Sequence, residues 1–382
     1  VADEWGTDFV QNFHKLNLLE PYKLIKATSC INEDLELVRT LKEKGYTYQI
    51  DDGIYYDTSR FPRYADFAHL NLKDLQAGAR VEFNQQKRGA ADFALWKFTP
   101  KGTKRDMEWE TPADLMDNSE TGRMGFPGWH LECSAIIKRE LGDTIDIHTG
   151  GIEHIPVHHT NEIAQSEAAN DKPFVNYWLH AHHLTADGAK MSKSLGNGYT
   201  LDDVNERGFS HMDFKMWVLQ GHFQSDRNFT FEDLAAAHQR LLRWRNAAAL
   251  RHQVKNNEGG EQPSRAVLKA ILNAVSDNLG TPQAMALADQ AFVDIWNTAV
   301  SHISKGNLRE FLDTIDELFG LNLLGTTPDI SDDVKKLILQ RERARDAKNW
   351  EESDRIRAEV EQHGIAIRDL PAGHGSVWEY SN

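Results

Sequence analysis

Only two cysteines, Cys30 and Cys133, occur among 382 residues. Two are too few for a disulfide framework in a chain of that length, so a reducing cytoplasm is the expected setting. Long hydrophobic runs are missing as well. No stretch approaches the ~18–20 consecutive apolar residues of a membrane span, and the mean hydropathy is −0.57, so a protein with no membrane partner is expected. The front shows no basic-then-apolar targeting signal. Val1 leads straight into Ala-Asp-Glu-Trp-Gly, which reads as the middle of a helix, so a preceding segment is expected. Positive charge is also short, since 43 Lys and Arg against 58 Asp and Glu leave a net charge of −15. That excludes loose, non-specific nucleic-acid binding, which needs a basic surface. A specific RNA partner on a local basic face stays open. Internal repeats and low-complexity tracts are absent, and the length suits two or three domains of roughly 100–200 residues each.

What is there alternates in texture. Residues 1–48 read as helices, with Phe9, Phe13 and Leu16 and then Leu35, Val38 and Leu41 at helical spacing. Between Tyr46 and Phe98 short strands take over, such as Gly53–Tyr56 and Gly78–Phe83, separated by turn residues. From Gly125 to Tyr199 helix and strand alternate: Cys133–Leu141 helical, Ile145–His148 extended, Asn161–Asn170 helical, Tyr177–His183 extended. That order predicts a parallel α/β sheet. Beyond Leu201 the chain reads as almost wholly helical. Asp233–Val254 carries Arg240, Arg243, Arg245 and Arg251, and Asn256–Ser264 reads as a linker. Ser331 to about His363 reads as one charged helix that leads through Gly364 into a strand at Ile365–Arg368.

Three groups of residues carry chemistry. Lys190-Met191-Ser192-Lys193-Ser194 sets two lysines three apart in a small-residue loop. Lysine is a mobile point charge with three donors, suited to a polyphosphate on which negative charge builds up. A solvated surface loop is the alternative for any Lys-x-x-Lys pair. Cys133, His158 and Glu162 are all competent zinc ligands, and His158 and Glu162, four apart, share a helix face. Taken alone they also fit a surface helix pair and a buried small thiol. Asp146–Glu153 runs a strand into Gly150-Gly151, where bare glycines admit a nucleotide and an acid can hold ribose hydroxyls. A plain strand–turn–helix is the alternative there. Cys30, on a helical face, reads as core.

Taken together, Gly128-Trp129-His130-Leu131-Glu132-Cys133-Ser134, Asp146–Gly151, His158–Glu167 and Lys190–Asn197 resemble the ordered motifs of cysteinyl-tRNA synthetases. Leu75–Val81 and Asp92–Lys97 resemble that family's connecting insertion, and Leu339–Arg345 its C-terminal helix, so the likeness covers essentially the whole chain. It implies an α/β fold: an incomplete Rossmann-like class I synthetase catalytic domain with a mixed α/β insertion, then an α-helical tRNA-binding region. The implied division is residues 1–48 for the remainder of the N-terminal catalytic half and the start of the insertion, and 49–120 for the insertion itself. Residues 121–200 form the second catalytic half, 201–256 a stem-contact segment, 257–330 an anticodon-binding bundle, and 331–382 a C-terminal helix with a small α/β tail.

The resemblance implies that cysteine and ATP, with Mg2+, form cysteinyl-adenylate, and that the cysteinyl group passes to the terminal ribose of tRNA(Cys). Cys133, His158 and Glu162 match three of the family's zinc ligands, and Lys190 and Lys193 its catalytic lysine loop, Lys193 being the ATP-contacting lysine. His148, Gly150, Gly151 and Glu153 match its nucleotide segment, and Trp129 a residue near the amino-acid pocket. Zinc explains the choice of substrate, because shape alone separates cysteine from serine weakly while a soft thiolate binds zinc where an alcohol does not. The pattern is departed from at Thr149 for a usual glycine, Glu153 for aspartate and Thr160 for glutamate. The family's His-x-Gly-His run and its first zinc-ligand cysteine find no match among these residues. The expectation is therefore a chain that neither forms adenylate alone nor binds zinc tightly. Two other readings share the motifs: a ligase joining cysteine to an amino sugar, as in mycothiol biosynthesis, and a non-catalytic tRNA-binding paralogue. Arg341, Arg343, Arg345, Arg355 and Arg357 argue for an RNA backbone over a sugar, and Trp378 and Arg368 are candidate base contacts.

Overall fold

A computed structural model describes residues 2–72, 84–117, 121–254, 262–370 and 376–381. The expected strand Gly78–Phe83, the Leu75–Val81 motif and most of the expected linker lie outside them. The chain divides into two compact units, residues 21–183 and residues 1–20 with 184–382. Helix α1 (Ala2–Lys15) belongs to the second.

In residues 21–183, α2 (Ile31–Glu43) precedes β1 (Thr47–Ile50) and β2 (Gly53–Tyr56). Strands β3 (Phe93–Phe98), β4 (Trp109–Glu110) and β5 (Met124–Pro127) complete an antiparallel sheet of order β1-β2-β3-β5-β4. From β5 the chain turns at Gly128 into α3 (Trp129–Leu141). A Cβ on Gly128 would overlap the Ala94 carbonyl oxygen, so only glycine lets α3 start this close to β3. Next come β6 (Ile145–Gly151), α4 (Thr160–Asn170) and β7 (Val175–Ala181), and β6 pairs with β7 in parallel. This is the strand–helix–strand unit that the alternation predicted. Leu35, Val38 and Leu41 of α2, Leu131 of α3 and Ala164 and Ala168 of α4 pack with Tyr56, Phe93 and Trp96 of the sheet. Cys30 is fully buried at the start of α2, a core position.

The other unit holds β8 (Leu184–Ala186), β9 (Ala189–Lys190), α5 (Leu201–Glu206), α6 (His211–Leu219) and β10 (Arg227–Phe229). Long helices follow: α7 (Phe231–Ala249), α8 (Arg265–Ser276), α9 (Thr281–Asn297) and α10 (Lys305–Phe319), then the short α11 (Leu323–Thr326). Their core runs through Trp217, Leu241, Trp244, Phe292, Phe311 and Ile315. At the end stand α12 (Asp332–Asp346), α13 (Trp350–Glu361) and the hairpin β11 (Ile365–Asp369) with β12 (Ser376–Tyr380).

The single charged helix expected over Ser331–His363 is two helices. Lys348 takes a left-handed φ of 57°, and Asn349 caps α13 by accepting from the Glu352 amide at 3.2 Å. Acidic Glu351 and Glu352 in the first turn of α13 suit the positive end of its dipole.

Three of the five C-terminal arginines expected on RNA, Arg341, Arg345 and Arg357, are used inside the fold, as are Arg240 and Arg251 of α7 and the turn after it. Arg341, only 1% exposed, grips Asp369 through Nη1 and Nη2 at 2.7 and 2.9 Å. Arg345 and Arg357 add 2.6 and 2.7 Å bonds to the same carboxylate. Arg240 pairs with Asp289 at 2.6 Å, and Arg251 donates to the carbonyls of Leu324 and Thr327. Trp378 is buried and Arg368 lies 3.9 Å over the Trp296 ring, so neither presents itself to a base. Among the described residues of this C-terminal part, Trp350 is the exposed large aromatic, 58% exposed at the start of α13.

Candidate active site

Helix α4 is the key to the site. Its sequence, TNEIAQSEAAN, has no clear apolar stripe, yet Thr160, Asn161, Glu162, Gln165 and Ser166 are all buried. Polar side chains buried on a helix need partners. Asn161 Oδ1 accepts from the Tyr64 hydroxyl at 2.6 Å, and Gln165 donates to the His130 carbonyl at 2.9 Å. Before α4 the backbone widens into a π-type turn over Ile155–His159, a distortion frequent at functional sites. It places His158 and His159 side by side at the head of α4, both buried.

Three of the residues expected to hold metal come together here. The ligand atoms of Cys133, His158 and Glu162 all lie within 4.8 Å of one another. His158 Nε2 is 3.0 Å from Glu162 Oε1, but Oε1 is buried with no hydrogen-bond partner. A fully buried carboxylate oxygen that faces an imidazole and a thiol without an aligned hydrogen bond fits a metal ion that completes its bonding. Burial, then the nearby Glu162, push the Cys133 thiol up to about 12, so ligation means displacing its proton. Glu162 would be raised by burial, but His148 and His158 outweigh that and hold it near 2.

Around this trio stands a cluster of histidines. His130 Nδ1 meets His158 Nδ1 at 3.0 Å, His148 Nε2 meets Glu162 Oε2 at 2.7 Å, and His159 Nδ1 meets His180 Nε2 at 2.7 Å. Burial, helped by His158, pushes His130 down to about 4, and burial pushes His159 down to about 3 against the opposing pull of Glu162, so both are neutral. His130, His159 and His180 were not singled out from sequence, although the run of histidines from His130 to His183 is the signal that marks them. A Cβ on Gly150 would stand 2.6 Å from the His159 ring, so this glycine lets the imidazole lie against β6.

The other expected residues lie nearby or elsewhere in the fold. Trp129 is exposed, its ring 4.8 Å from that of His158. Gly150 and Gly151 end β6 at its carboxyl edge, where ligands gather in open α/β folds. The Glu153 carboxylate folds back over Gly151 and sits 3.9 Å from His183. His148 bonds Glu162, so it stands within the metal-competent cluster as well as on the nucleotide strand.

The lysine loop belongs to the other compact unit. Lys190 ends β9, exposed, and Lys193 opens the helical turn Lys193–Leu195. Asn197 braces the loop from below: its Oδ1 accepts from Ser192 N at 2.9 Å, and its Nδ2 donates to the Ala186 carbonyl at 3.0 Å. Met191 reaches a largely apolar cavity of about 160 Å³ that Leu16, Tyr199 and Phe214 also line. The loop is thus pinned by a buried amide and a methionine while Lys190 projects outward.

With that geometry in view, residues 1–239 match the family model of the class I (C) tRNA synthetase catalytic domain, and residues 327–374 that of the cysteinyl-tRNA ligase anticodon-binding domain. The cysteine–tRNA ligase 1 of Burkholderia lata is 38% identical over 98% of this chain and 75% of the relative. The chain belongs to the cysteinyl-tRNA synthetases. The cysteine–tRNA ligase of Treponema denticola is 34% identical over 97% of this chain and 78% of its own length. Among solved structures, Mycobacterium tuberculosis methionyl-tRNA synthetase with methionyl-adenylate aligns with a TM-score of 0.56 at 12% identity. It covers 83% of this chain and 78% of that one, which establishes the class I synthetase fold. The protein is thus an aminoacyl-tRNA synthetase by family. Among the described residues no helix is long and apolar enough to cross a membrane.

Proposed function

We propose that this synthetase activates cysteine with ATP to give cysteinyl-adenylate and pyrophosphate, then transfers the cysteinyl group to the terminal ribose of tRNA(Cys). The observation that carries this reading is the trio of half-buried Cys133 with buried His158 and Glu162, one carboxylate oxygen of which makes no aligned hydrogen bond, in a member of this family. Zinc held there supplies a soft Lewis acid that takes a thiolate in preference to an alcohol.

The chain's own residues do the rest. Trp129, exposed beside His158, walls the amino-acid end of the site. Gly150 and Gly151 admit the nucleotide, with magnesium, to the end of β6, and Glu153 takes the ribose. As the cysteine carboxylate attacks the α-phosphorus, the bond to the bridging oxygen breaks and charge grows on departing pyrophosphate. Lys190 and Lys193 neutralise that charge. Trp350, exposed in the segment matched by the anticodon-binding model, offers an unpaired base a stacking platform. That match also argues for tRNA over an amino sugar as acceptor. A cytoplasmic location is part of this reading, in keeping with two free thiols.

The test uses the protein as the cell makes it. Cysteine-dependent pyrophosphate exchange and charging of a tRNA(Cys) transcript are expected, with strong rejection of serine. Replacing Cys133 by Ser should erode that rejection; an unchanged cysteine-over-serine preference would sink the zinc-selection reading.

A further inference from the structure

Helix α1 ends in a tight turn that reaches three other elements of its unit. Asn17 takes a left-handed φ of 47°, and the amides of Asn17 and Leu18 return to the carbonyls of His14 and Phe13 at 2.9 and 3.1 Å. That is the paired-bond helix stop in which asparagine can take the usual place of glycine. From this turn Lys15 pairs with Asp202 in the first turn of α5 at 3.2 Å. The Asn17 side chain donates to the Gly320 carbonyl, at the end of α10, at 3.0 Å. Leu16, between them in the chain, lines the cavity that Met191 of the lysine loop also lines.

Lys215 of α6 joins the same turn. Its ammonium donates to the Asn17 and Gly320 carbonyls at 2.9 and 3.1 Å. One cation thus sits on the carbonyl ends of both α1 and α10, where helix dipoles favour positive charge. Gly320 holds a left-handed φ of 60°, and a Cβ there would run into the Lys215 ammonium, so glycine gives both the turn and the room. The exposed Lys15–Asp202 pair adds little by itself; the Lys215 bridge is the anchor.

We propose that the last turn of α1, anchored by Lys215, is the seat of the lysine loop. Leu16 is the wall on which Met191 beds, and through that contact Lys190 and Lys193 are held in place. Met191 follows Lys190 directly in the chain and is still 38% exposed beside a cavity of about 160 Å³. Its grip on the loop therefore depends on where the cavity wall stands. Asn197 fixes the backbone of the loop, and the α1 seat fixes its methionine. Leu16 and Lys215 are positioning residues, since neither is placed on a reactant. The proposal rests on the reading that this loop neutralises departing pyrophosphate. That charge grows only in the transition state, so a misplaced loop lowers kcat and leaves the KM for ATP and for cysteine nearly unchanged.

The test is pyrophosphate exchange by the complete synthetase. Leu16→Ala and Lys215→Met should each lower kcat by about 10–100-fold, the scale of a small misplacement of catalytic groups, with both KM values kept. Lys215→Arg should restore most of the loss, because a guanidinium can donate to both carbonyls. Leu16→Ala combined with Met191→Ala should lose no more than the worse single change, since both act through one contact. Amide hydrogen exchange of the peptide spanning residues 190–197 should quicken in Leu16→Ala, with α8 unchanged. Lys193→Ala examines the underlying reading: full kcat there removes the loop's role and the seat with it. A loss in Lys193→Ala beside full kcat in Leu16→Ala and Lys215→Met overturns the seat alone. Losses from Leu16→Ala and Met191→Ala that multiply in the double variant overturn it as well. Should Lys215→Met not fold, Leu16→Ala and the double variant decide.

Discussion

Glu162 and Asp369 are carboxylates with opposite kinds of collar. Around Glu162 stand imidazoles, with His148 and His158 on its oxygens and His159 beside them. Around Asp369 stand guanidiniums from Arg341, Arg345 and Arg357, with Ser376 adding a 2.9 Å bond. Both carboxyls are held well below the usual carboxylate range, Glu162 against its own burial by His148 and His158, Asp369 chiefly by Arg341. The resemblance ends there. Guanidinium is permanently protonated and has no lone pair to give, so the Asp369 cluster can only tie α12, α13 and β11 together. Imidazole loses its proton near neutrality and then donates a lone pair, so the Glu162 cluster can exchange protons for metal. Identical local electrostatics thus serve architecture in one place and chemistry in the other.

The largest effect that would break this comparison is expected at Glu162. Glu162→Gln should lower metal affinity by more than about 100-fold, beyond the ~10–100-fold typical of groups that merely support a ligand, and should abolish cysteine activation. Metal analysis after dialysis checks the first and pyrophosphate exchange the second. Asp369→Asn should leave metal content untouched and instead cost about 3–5 kcal/mol in urea unfolding, because the buried Arg341 loses its charge partner. Adding Arg341→Met to that variant should recover much of the loss. A metal-content change in Asp369→Asn, or no stability change, would refute the division of labour.

The two clusters also differ in how far they could be read from sequence. The Glu162 side was visible because its residues recur in short motifs: His158 and Glu162 are one helical turn apart, and Cys133 sits in its own signature. The parallel β6–α4–β7 unit was visible for a similar reason, since alternation of helix and strand is a local signal. The Asp369 side was hidden. Arg341, Arg345 and Arg357 lie 28, 24 and 12 residues from their shared partner, and nothing in their spacing distinguishes an internal tie from a solvated or RNA-facing stripe. The break at Lys348 was missed because Ala347 and Lys348 are good helix formers; Asn349 followed by Glu351 and Glu352 was the readable cap. Burial of tryptophan is likewise a tertiary property. Trp378 is closed in by Gln253, which bonds its backbone at 2.9 and 3.0 Å, while Trp350 is open.

That last contrast gives the next prediction. Trp350→Ala should weaken tRNA by about 1–3 kcal/mol, the usual worth of one stacked base, seen as a raised KM for tRNA with pyrophosphate exchange unchanged. Trp378→Ala should instead destabilise the C-terminal part through a cavity, in the range of about 3–5 kcal/mol. Equal effects of both on tRNA KM, at equal stability, would remove Trp350 from the reading.

Asp34 sharpens the comparison from the other side, since it is a fully buried carboxyl with no collar at all. Neither oxygen has a hydrogen-bond partner, and burial, then Glu132 and Glu33, raise its pKa from 3.8 to about 7. The folded protein therefore keeps a proton between about pH 4 and 7 that the unfolded chain has released. Where the native state binds the extra proton, stability falls as pH rises, and the penalty is complete above about pH 7. Asp34→Asn has no proton to lose, so it should stabilise the protein at pH 8, and the gain should shrink steadily toward pH 5. Its amide is still buried without a partner, at a cost of about 1–3 kcal/mol, which limits the net gain at pH 8 to roughly 1–3 kcal/mol by the linkage relation. Urea unfolding of both proteins at pH 5 and pH 8 measures the difference directly. A gain that grows toward low pH would mean that Asp34 is ionised in the folded state, with a basic partner of its own.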